Sequence, residues 1–335
     1  MRAASFLGGK RIDIVEQEIA PPQTGEVRVQ VRCCALCGSD LRLFRDGASW
    51  TPGHEILGVV DASSHALHGR RVLIYIPLFC GSCTSCQAGQ THLCETDPPL
   101  IGWNRPGGYA EALMVPERCL LPVPDDVPDN LAPLLLDTIG TTAHAVRLAT
   151  RVISAAGPVL VLGAGPIGLG AILVAQALGF GPVLVSEPQS YRMEAACRLG
   201  ARPWLPAESG RFPLVLESSG AADARQSGIE VVAPQGVCVL LGESSTPWPL
   251  QETRAIRRKD FWMLRSFYFP LGDHAQNIAL LRTHARRFES LVDRVCGLDG
   301  LQETFAAFAE GRLLKPLLAP SESIGNTTTF PDSGR

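Results

Sequence analysis

The sequence predicts an α/β protein that combines a β-rich part with a doubly wound parallel sheet. Two patterns support this fold class. Residues 1–36 and several later stretches are short runs of alternating apolar and polar residues between turns, which is typical of a small β-barrel or β-sandwich. From residue 159 onward, apolar runs alternate with helical segments, which is typical of a parallel sheet covered by helices.

The composition sets the size of the protein and limits its partners. The chain has 335 residues, 46% hydrophobic and 19% charged, which is enough for about two domains with sizeable cores. A formal net charge of −3 gives no general attraction to nucleic acid or anionic lipid, so neither is expected as a partner. Residues 154–186 carry no charge, but glycines and prolines divide them into strand, turn and helix, so no membrane span is expected.

Eleven cysteines indicate metal chemistry, because residues 1–7 lack the apolar run of a signal peptide and a cytoplasmic protein is expected. The most specific pattern is C-x2-C-x2-C-x7-C, formed by Cys80, Cys83, Cys86 and Cys94. Four thiolates at this spacing can enclose a tetrahedral Zn²⁺ and leave no position for water, which predicts a structural zinc lobe over residues 80–94. Disulfides and an iron–sulfur cluster are the alternatives. Except for Cys37, the remaining cysteines are interpreted as small buried hydrophobes.

The β-rich part carries a second group of metal-binding residue types. Strands predicted at 12–15, 27–31, 56–61 and 71–76 accompany the segments Cys37-Gly38-Ser39-Asp40 and Gly53-His54-Glu55. A thiolate, an imidazole and carboxylates are donors that Zn²⁺ takes in catalytic sites, where one position stays open to substrate. The alternative is a buried cysteine and a core histidine without metal.

A helix is expected to begin near residue 129 or 131, after the proline-rich segment 122–133. It carries Asp137 and Thr141, which share one helix face if the helix is regular there.

The next segment fits a dinucleotide-binding turn. A strand at 159–162 leads into Gly163-Ala164-Gly165-Pro166-Ile167-Gly168, an apolar helix follows at 169–178, and a second strand at 183–185 ends near Glu187. Glycines there allow close approach of backbone to a pyrophosphate at the helix N-terminus, and a carboxylate about 20 residues on accepts ribose hydroxyls. Glu187 therefore favours NAD over NADP, although the nearby Arg192 keeps NADP open. The alternative is a helix-packing turn without ligand.

Further strands are predicted at 214–217, 237–241 and 266–269, and the chain is expected to rejoin its first domain after residue 289. The polar tail 321–335 is expected to be loosely held.

These features, in this order, resemble the zinc-dependent alcohol dehydrogenases of the medium-chain dehydrogenase/reductase family, with similarity to the polyol and threonine dehydrogenase branch. The resemblance spans roughly residues 10–318 and includes Gly107-Gly108-Tyr109-Ala110-Glu111. It implies a GroES-like catalytic domain (1–148 and 289–335), interrupted by a Rossmann NAD-binding domain (149–288), with the active site in the cleft between them. It also implies one catalytic and one structural zinc per chain, and a homodimer or homotetramer.

The resemblance assigns roles around the catalytic zinc. Cys37 and His54 match zinc ligands. Glu55 matches a carboxylate that ligates zinc in some members and lies behind it in others. Asp137 falls where the family has its remaining ligand, and Asp40 matches the carboxylate that orients the zinc-binding histidine.

It also assigns roles toward substrate and cofactor. Ser39 matches the hydroxyl that passes on the substrate proton, and Thr141 a residue near the nicotinamide. Arg192 matches a basic residue at the adenosine ribose, and Lys315 one near the pyrophosphate. For Arg192 and Lys315 the alternative is a solvated surface charge. Where the family often has a proton-relaying histidine, this chain has Arg42, which stays protonated and cannot act as a base.

The implied activity is reversible oxidation of a secondary or polyol-type alcohol by hydride transfer to NAD, with a small-molecule substrate and Ser39, Cys37 and His54 in the catalytic centre. One alternative is a zinc-free medium-chain enoyl or quinone reductase that uses NADPH. The other is a non-enzymatic zinc-binding module.

Overall fold

The structure is a computed structural model that describes residues 1–154, 157–205 and 211–321. Residues 322–335, and with them nearly all of the tail expected to be loosely held, lie outside the described part. The chain forms two compact units, which we call unit 1 and unit 2. Unit 1 comprises Met1–Leu136 and the described residues from Ala285 onward, and unit 2 comprises Asp137–His284. The domain bounds given above from the sequence remain a prediction.

Unit 1 begins with strands and two short helices. The strands are β1 (Arg2–Gly8), β2 (Arg11–Glu16), β3 (Glu26–Ala35), β4 (Glu55–Val60), β5 (Arg71–Ile74), β6 (Ala112–Pro116) and β7 (Leu120–Pro122). The helices are α1 (Asp40–Asp46) and α2 (Thr84–Gln87). In β3 the side chains of Val27, Val29 and Val31 are buried and those between them are exposed, as its period-two pattern predicts.

Unit 2 contains a parallel sheet with helices between its strands. Its strands are β8 (Val159–Leu162), β9 (Val183–Ser186), β10 (Arg202–Pro203), β11 (Phe212–Glu217), β12 (Val232–Leu240) and β13 (Trp262–Arg265). Its helices are α3 (Thr142–Ala149), α4 (Pro166–Ala177), α5 (Ser190–Arg198), α6 (Ala222–Val231), α7 (Arg254–Arg257) and α8 (His274–Glu289), the last continuing past the junction with unit 1.

The remaining elements belong to unit 1. They are β14 (Val295–Cys296), α9 (Leu301–Ala309) and β15 (Leu317–Leu318).

The sheet of unit 1 has the order β14-β15-β3-β4-β5-β7, with β6 also paired to β3, while β1 and β2 form a separate hairpin. β15 pairs antiparallel with β3, so the end of the described chain closes the sheet formed by its beginning. Rings from distant segments fill the core beneath. The centroid of Phe305 on α9 lies 5.1 Å from that of Phe6, 5.3 Å from Phe44 and 5.5 Å from Tyr109.

The sheet of unit 2 has the order β10-β9-β8-β11-β12-β13, and every pairing is parallel. This order, with the reversal beside β8, is the doubly wound arrangement of dinucleotide-binding folds. The predicted α/β class is therefore confirmed. No helix in the described part of the chain is long and apolar enough to span a membrane.

Two local predictions are wrong. The strand expected at 266–269 lies earlier, as β13, because Tyr268 has a φ of 46° that a strand does not accommodate. The helix expected from residue 129 or 131 is instead a 3₁₀ turn at Ala132–Leu135, a π-helical turn at Asp137–Thr141, and then α3. Of the six scattered cysteines, four are buried, whereas Cys197 is exposed and Cys296 is intermediate.

We expect Phe305→Ala to lower the free energy of unfolding of unit 1 by about 3 to 5 kcal/mol, because it removes a ring packed against three others. Leu7→Ala is the matched control, since that side chain is 50% exposed and should cost far less. Urea unfolding followed by tryptophan fluorescence measures both. Equal losses for the two variants would show that residues from 285 onward do not contribute to the core of unit 1.

Candidate active site and metal centres

Four predicted ligands come together in one cluster. Ligand atoms of Cys37, His54, Glu55 and Asp137 all lie within 4.8 Å of one another. Three of these residues are buried and Asp137 is partly buried. A thiolate, an imidazole and two carboxylates at this spacing fit the donor set that Zn²⁺ takes.

Strand pairing brings the first three ligands together. β3 and β4 are antiparallel, with Ala35 opposite Glu55, so Cys37 just after β3 lies close to His54 at the start of β4. The turn before His54 is fixed by Gly53, whose φ of 99° favours glycine and where a Cβ would lie 2.8 Å from the Tyr109 ring. The N–H of Gly108 donates to the Gly53 carbonyl at 2.8 Å. The Gly107-Gly108-Tyr109 motif therefore holds the turn that carries the imidazole.

Asp40 connects these groups from behind. Its buried carboxylate places Oδ1 3.1 Å from His54 Nδ1, and Oδ2 accepts hydrogen bonds from Cys37 N at 3.0 Å and from the Tyr109 hydroxyl at 2.5 Å. This geometry leaves His54 Nε2 as the nitrogen for a metal. Burial raises the pKa of Tyr109 well above its usual value, so the hydroxyl stays a donor. Tyr109 was not among the predicted site residues, although its motif was recognised.

Lys315 is buried and forms an ion pair within unit 1. Its side chain is 1% exposed, and Nζ donates to the Leu36 carbonyl at 3.1 Å and forms a short ion pair with Glu55 Oε1. The alternative of a solvated surface charge is therefore wrong, because Lys315 forms a buried ion pair with a residue of the metal cluster. The predicted contact with the cofactor pyrophosphate stays a prediction. The pairing compensates the negative charge of Glu55.

Asp137 and Thr141 belong to the π-helical turn that precedes α3. The Thr141 hydroxyl donates to Asp137 Oδ1 at 3.1 Å, so the two side chains meet even though the helix is not regular there. π-Helical turns are frequent at functional sites. Here the turn and its hydrogen bond fix the direction of one carboxylate of the cluster.

Ser39 lies between Cys37 and Asp40 at the first turn of α1, and its side chain is partly exposed. Its hydroxyl does not cap the helix. The Ser39 hydroxyl is therefore not used in a capping hydrogen bond, so it can bind a ligand near Cys37.

The second predicted cluster is also assembled. Sulfur atoms of Cys80, Cys83, Cys86 and Cys94 lie within 4.8 Å of one another. The sulfur atoms of Cys83 and Cys94 are 3.9 Å apart and those of Cys80 and Cys86 are 4.0 Å apart, about twice the length of a disulfide bond, which argues against the disulfide alternative.

Backbone N–H groups point at these sulfurs. Cys80 Sγ accepts from Ser82 N at 3.4 Å and from Cys83 N at 3.3 Å, and Cys94 Sγ accepts from Cys80 N at 3.3 Å. Hydrogen bonds from the backbone N–H and the hydroxyl of Ser82, together with one from the backbone N–H of Cys83, lower the pKa of the Cys80 thiol to about 5. Donors placed around sulfur in this way stabilise thiolates, the form that binds metal.

The dinucleotide turn follows β8 in unit 2. Gly163 has a φ of 90°, and a Cβ on Gly168 would lie 1.9 Å from the Gly163 carbonyl oxygen, so both positions require glycine. Gly165 caps α4, which begins at Pro166 and continues through Ile167. The turn thus presents backbone N–H groups at the start of a twelve-residue helix.

Glu187 lies beside this turn. Its Oε2 accepts from Ala164 N at 2.7 Å and its Oε1 from Gln189 N at 2.9 Å. Arg192 lies in the first turns of α5 and is partly buried. Within unit 2 the structure therefore places Glu187 next to the glycine turn and Arg192 five residues further along the chain, in α5.

We expect Tyr109→Phe to weaken metal binding at the Cys37 cluster by about tenfold, because Asp40 loses a donor that fixes its orientation toward His54. Tyr75→Phe is the matched control, since Tyr75 is equally buried but its hydroxyl lies 2.9 Å from Thr91 Oγ1. Competition with a chromogenic chelator measures the affinity. Equal weakening in both variants would show that Tyr109 acts through general stability.

Comparison with known proteins identifies the family of this chain. Residues 23–125 match the family described as the alcohol dehydrogenase GroES-like domain. The chain is 32% identical over 328 residues to 2-dehydro-3-deoxy-L-galactonate 5-dehydrogenase of Pseudoalteromonas atlantica, covering 91% of this chain and 94% of the relative. It is 29% identical over 324 residues to L-threonine 3-dehydrogenase of Mesorhizobium japonicum, covering 88% and 92%.

A solved structure extends the likeness to the whole described fold. Galactitol-1-phosphate dehydrogenase from Escherichia coli superposes with a TM-score of 0.84 at 26% identity, covering 96% of this chain and 100% of that one. The match covers both units. The chain belongs to the zinc-type medium-chain dehydrogenase/reductase family of oxidoreductases.

Proposed function

We propose that the protein is a zinc-dependent dehydrogenase that reversibly oxidises a secondary or polyol-type alcohol to the carbonyl compound with NAD. The observation that carries this proposal is the cluster of Cys37, His54, Glu55 and Asp137, with Ser39 two residues after Cys37 in the chain. Dehydrogenases of a hydroxy amino acid, a sugar acid and a polyol phosphate are among its relatives and structural neighbours, which supports a polyol or alcohol as substrate. The relatives and the residue cluster favour neither a zinc-free reductase nor a non-enzymatic zinc-binding module.

The family implies a zinc ion and a nicotinamide cofactor, and the residues present fit both of them. Zn²⁺ held by the cluster would supply a Lewis acid for the alcohol oxygen, and NAD at the glycine turn would supply the hydride acceptor. A second Zn²⁺ would be held by the sulfur atoms of the four cysteines between residues 80 and 94. This zinc would be structural, because four thiolates complete its coordination.

We assign the third protein ligand of the catalytic zinc to Asp137 and not to Glu55. Glu55 is fully buried and forms an ion pair with Lys315, so the ammonium group of Lys315 compensates its negative charge. Asp137 is oriented by Thr141 and is partly buried, so it lies nearer to solvent and to an incoming ligand. Glu55 then serves as the carboxylate behind the metal.

Ser39 is the group that accepts the alcohol proton. Its hydroxyl lies two residues from Cys37 and is partly exposed, so it can contact both a substrate and water. Cys37 and His54 hold the metal, and Asp40 keeps the imidazole in one tautomer and one orientation. Arg42 cannot continue the relay as a base, so the proton passes from Ser39 directly to solvent or to the cofactor ribose.

NAD is the proposed cofactor. Glu187 lies beside the glycine turn through its bond to Ala164 N, where its free lone pairs can accept ribose hydroxyls. A 2′-phosphate at the same place would meet this negative charge, which favours NAD over NADP, while Arg192 is close enough in sequence to moderate the preference.

We also propose that the protein acts in the cytoplasm on small molecules, as a homodimer or homotetramer. No disulfide joins any of the eleven cysteines, all of which lie in the described part of the chain, and this suits a reducing compartment. The edge strand β13 exposes Trp262 and Met263, and an exposed apolar sheet edge supports self-association.

The activity is tested by a screen of NAD reduction over polyols, amino alcohols, sugars and simple alcohols, with zinc measured by mass spectrometry on the same sample. We expect two zinc ions per chain and oxidation of at least one polyol-type alcohol. Cys37→Ala should abolish turnover and remove one zinc while NADH fluorescence titration still shows binding. Cys119→Ala, at another buried cysteine of unit 1, should retain activity. Full activity of Cys37→Ala would exclude the zinc mechanism.

Cofactor preference gives an independent test. We expect Glu187→Gln to raise the KM for NAD and to reduce the ratio of kcat/KM for NAD over NADP by about tenfold, because the variant loses both the anionic acceptor and its repulsion of a 2′-phosphate. Glu194→Gln, at an exposed residue of α5, should leave the ratio unchanged. An unchanged ratio in Glu187→Gln would remove Glu187 from the ribose site.

A further inference from the structure

Arg42 is a cation at the edge of the proposed catalytic centre without an assigned task. It lies on α1, two residues after Asp40, and its side chain is exposed. The guanidinium carbon is 5.0 Å from the centroid of the Trp103 ring, and that ring is 5.7 Å from the centroid of the His54 imidazole. One indole therefore separates the charge of Arg42 from a ligand of the metal cluster.

Trp103 is a fixed platform for this cation. The Trp50 indole N–H donates to the Gly102 carbonyl at 3.3 Å, and Gly102 N donates to the Arg105 carbonyl at 2.9 Å. A Cβ on Gly102 would lie 2.5 Å from the Gly53 carbonyl oxygen, so the backbone before Trp103 packs directly on the turn before His54. The position of the indole relative to the imidazole is set by backbone contacts.

Arg42 has no acidic partner among the described residues within ion-pair distance, unlike several other arginines of unit 1. Arg28 pairs with Asp61 at 2.9 Å, and Arg32 with Asp129 at 3.0 Å. The carboxylate one turn along α1, Asp46, is engaged through both oxygens by Arg45, at 2.7 and 2.9 Å. An exposed guanidinium without an ion-pair partner within 4.0 Å can form charge-assisted hydrogen bonds with an anion that binds beside it.

The chemistry of the side chain indicates which anion fits. A guanidinium that stacks on an indole keeps its N–H edge free, and this edge matches the two oxygens of a carboxylate or phosphate. We propose that Arg42, held on Trp103, binds a carboxylate or phosphate group of the alcohol substrate and so selects anionic polyols. This inference rests on the proposed function.

The substrate is favoured over the cofactor as the source of the anion. The platform contacts His54, a ligand of the cluster where the alcohol oxygen binds, so a second group on the same small molecule can reach Arg42. The turn that fits the cofactor phosphates already has its own donors, the N–H groups at the start of α4.

The test compares initial rates on three matched six-carbon substrates: an aldonate, a polyol 1-phosphate and the uncharged polyol. For the wild-type holoenzyme, we expect a kcat/KM at least about tenfold higher for one of the anionic compounds than for the uncharged polyol. Arg42→Gln should raise the KM for that compound by about 10- to 100-fold with a smaller change in kcat, and leave the KM for the uncharged polyol within about twofold. Arg42→Lys should recover part of the loss, because it keeps the charge and loses the planar edge.

Arg45→Gln is the matched control. It removes another arginine of α1, one that is exposed and already paired with Asp46, and should leave the selectivity unchanged. The dissociation constant of NADH, measured by fluorescence, separates the two sources of the anion. A rise in that constant in Arg42→Gln, with substrate selectivity unchanged, would assign Arg42 to the cofactor and overturn the proposal.

The outcomes also separate this inference from the activity on which it rests. Oxidation of polyols without preference for an anionic compound would refute the role of Arg42 and keep the dehydrogenase. Failure to oxidise any alcohol, with zinc and NADH bound, would refute both.

Discussion

The buried carboxylate of Asp40 is the constraint on which the catalytic end of unit 1 depends. It lies near the imidazole of His54 and accepts from the backbone N–H of Cys37 and the hydroxyl of Tyr109. A charge removed from water in this way is stable only when its oxygens are satisfied, so each of these groups must be in place for the others to fold correctly. One side chain thus joins the segment after β3, the segment before β4 and the Gly107-Gly108-Tyr109 motif.

The same region contains a second buried charge, the ammonium group of Lys315, which comes from a distant part of the chain. Lys315 reaches Glu55 across 260 residues of sequence and also bonds the carbonyl of Leu36, next to Cys37. Removing either partner would leave an uncompensated charge in a site with no access to water, which is strongly destabilising. The pair therefore ties the segment just before β15 to the metal cluster, in addition to the pairing of β15 with β3.

How much the sequence predicts depends on the range of the interaction. The four-cysteine lobe, the glycine turn and the pair Cys37 and His54 are recognisable because their spacing in the chain encodes the geometry. The roles of Tyr109 and Lys315 are not, because their partners lie 69 and 260 residues away, and nothing local distinguishes a tyrosine that bonds a carboxylate from one that fills a core. The strand expected at 266–269 was misplaced for a related reason. Its residues are apolar, but Tyr268 adopts a left-handed backbone conformation that the sequence pattern does not reveal.

The charges at the cluster also constrain what can bind there. In the proposed zinc site, Cys37 as a thiolate and Asp137 as a carboxylate would balance a divalent ion, while Glu55 and Lys315 form an ion pair with each other. An alcohol that loses its proton at such a centre adds one negative charge, and in a site of low dielectric this charge needs a nearby cation. In the proposed reaction, the oxidised nicotinamide of the cofactor would provide one in the direction of alcohol oxidation. Arg42 adds a second, fixed cation outside the metal shell, and because it stays charged at all physiological pH values its attraction acts on substrate binding and not on proton transfer. Where the family often has a histidine that relays the proton, this chain has Arg42, which carries a permanent charge. The position therefore contributes to substrate selection instead of to proton transfer, while the four residues of the metal cluster are kept.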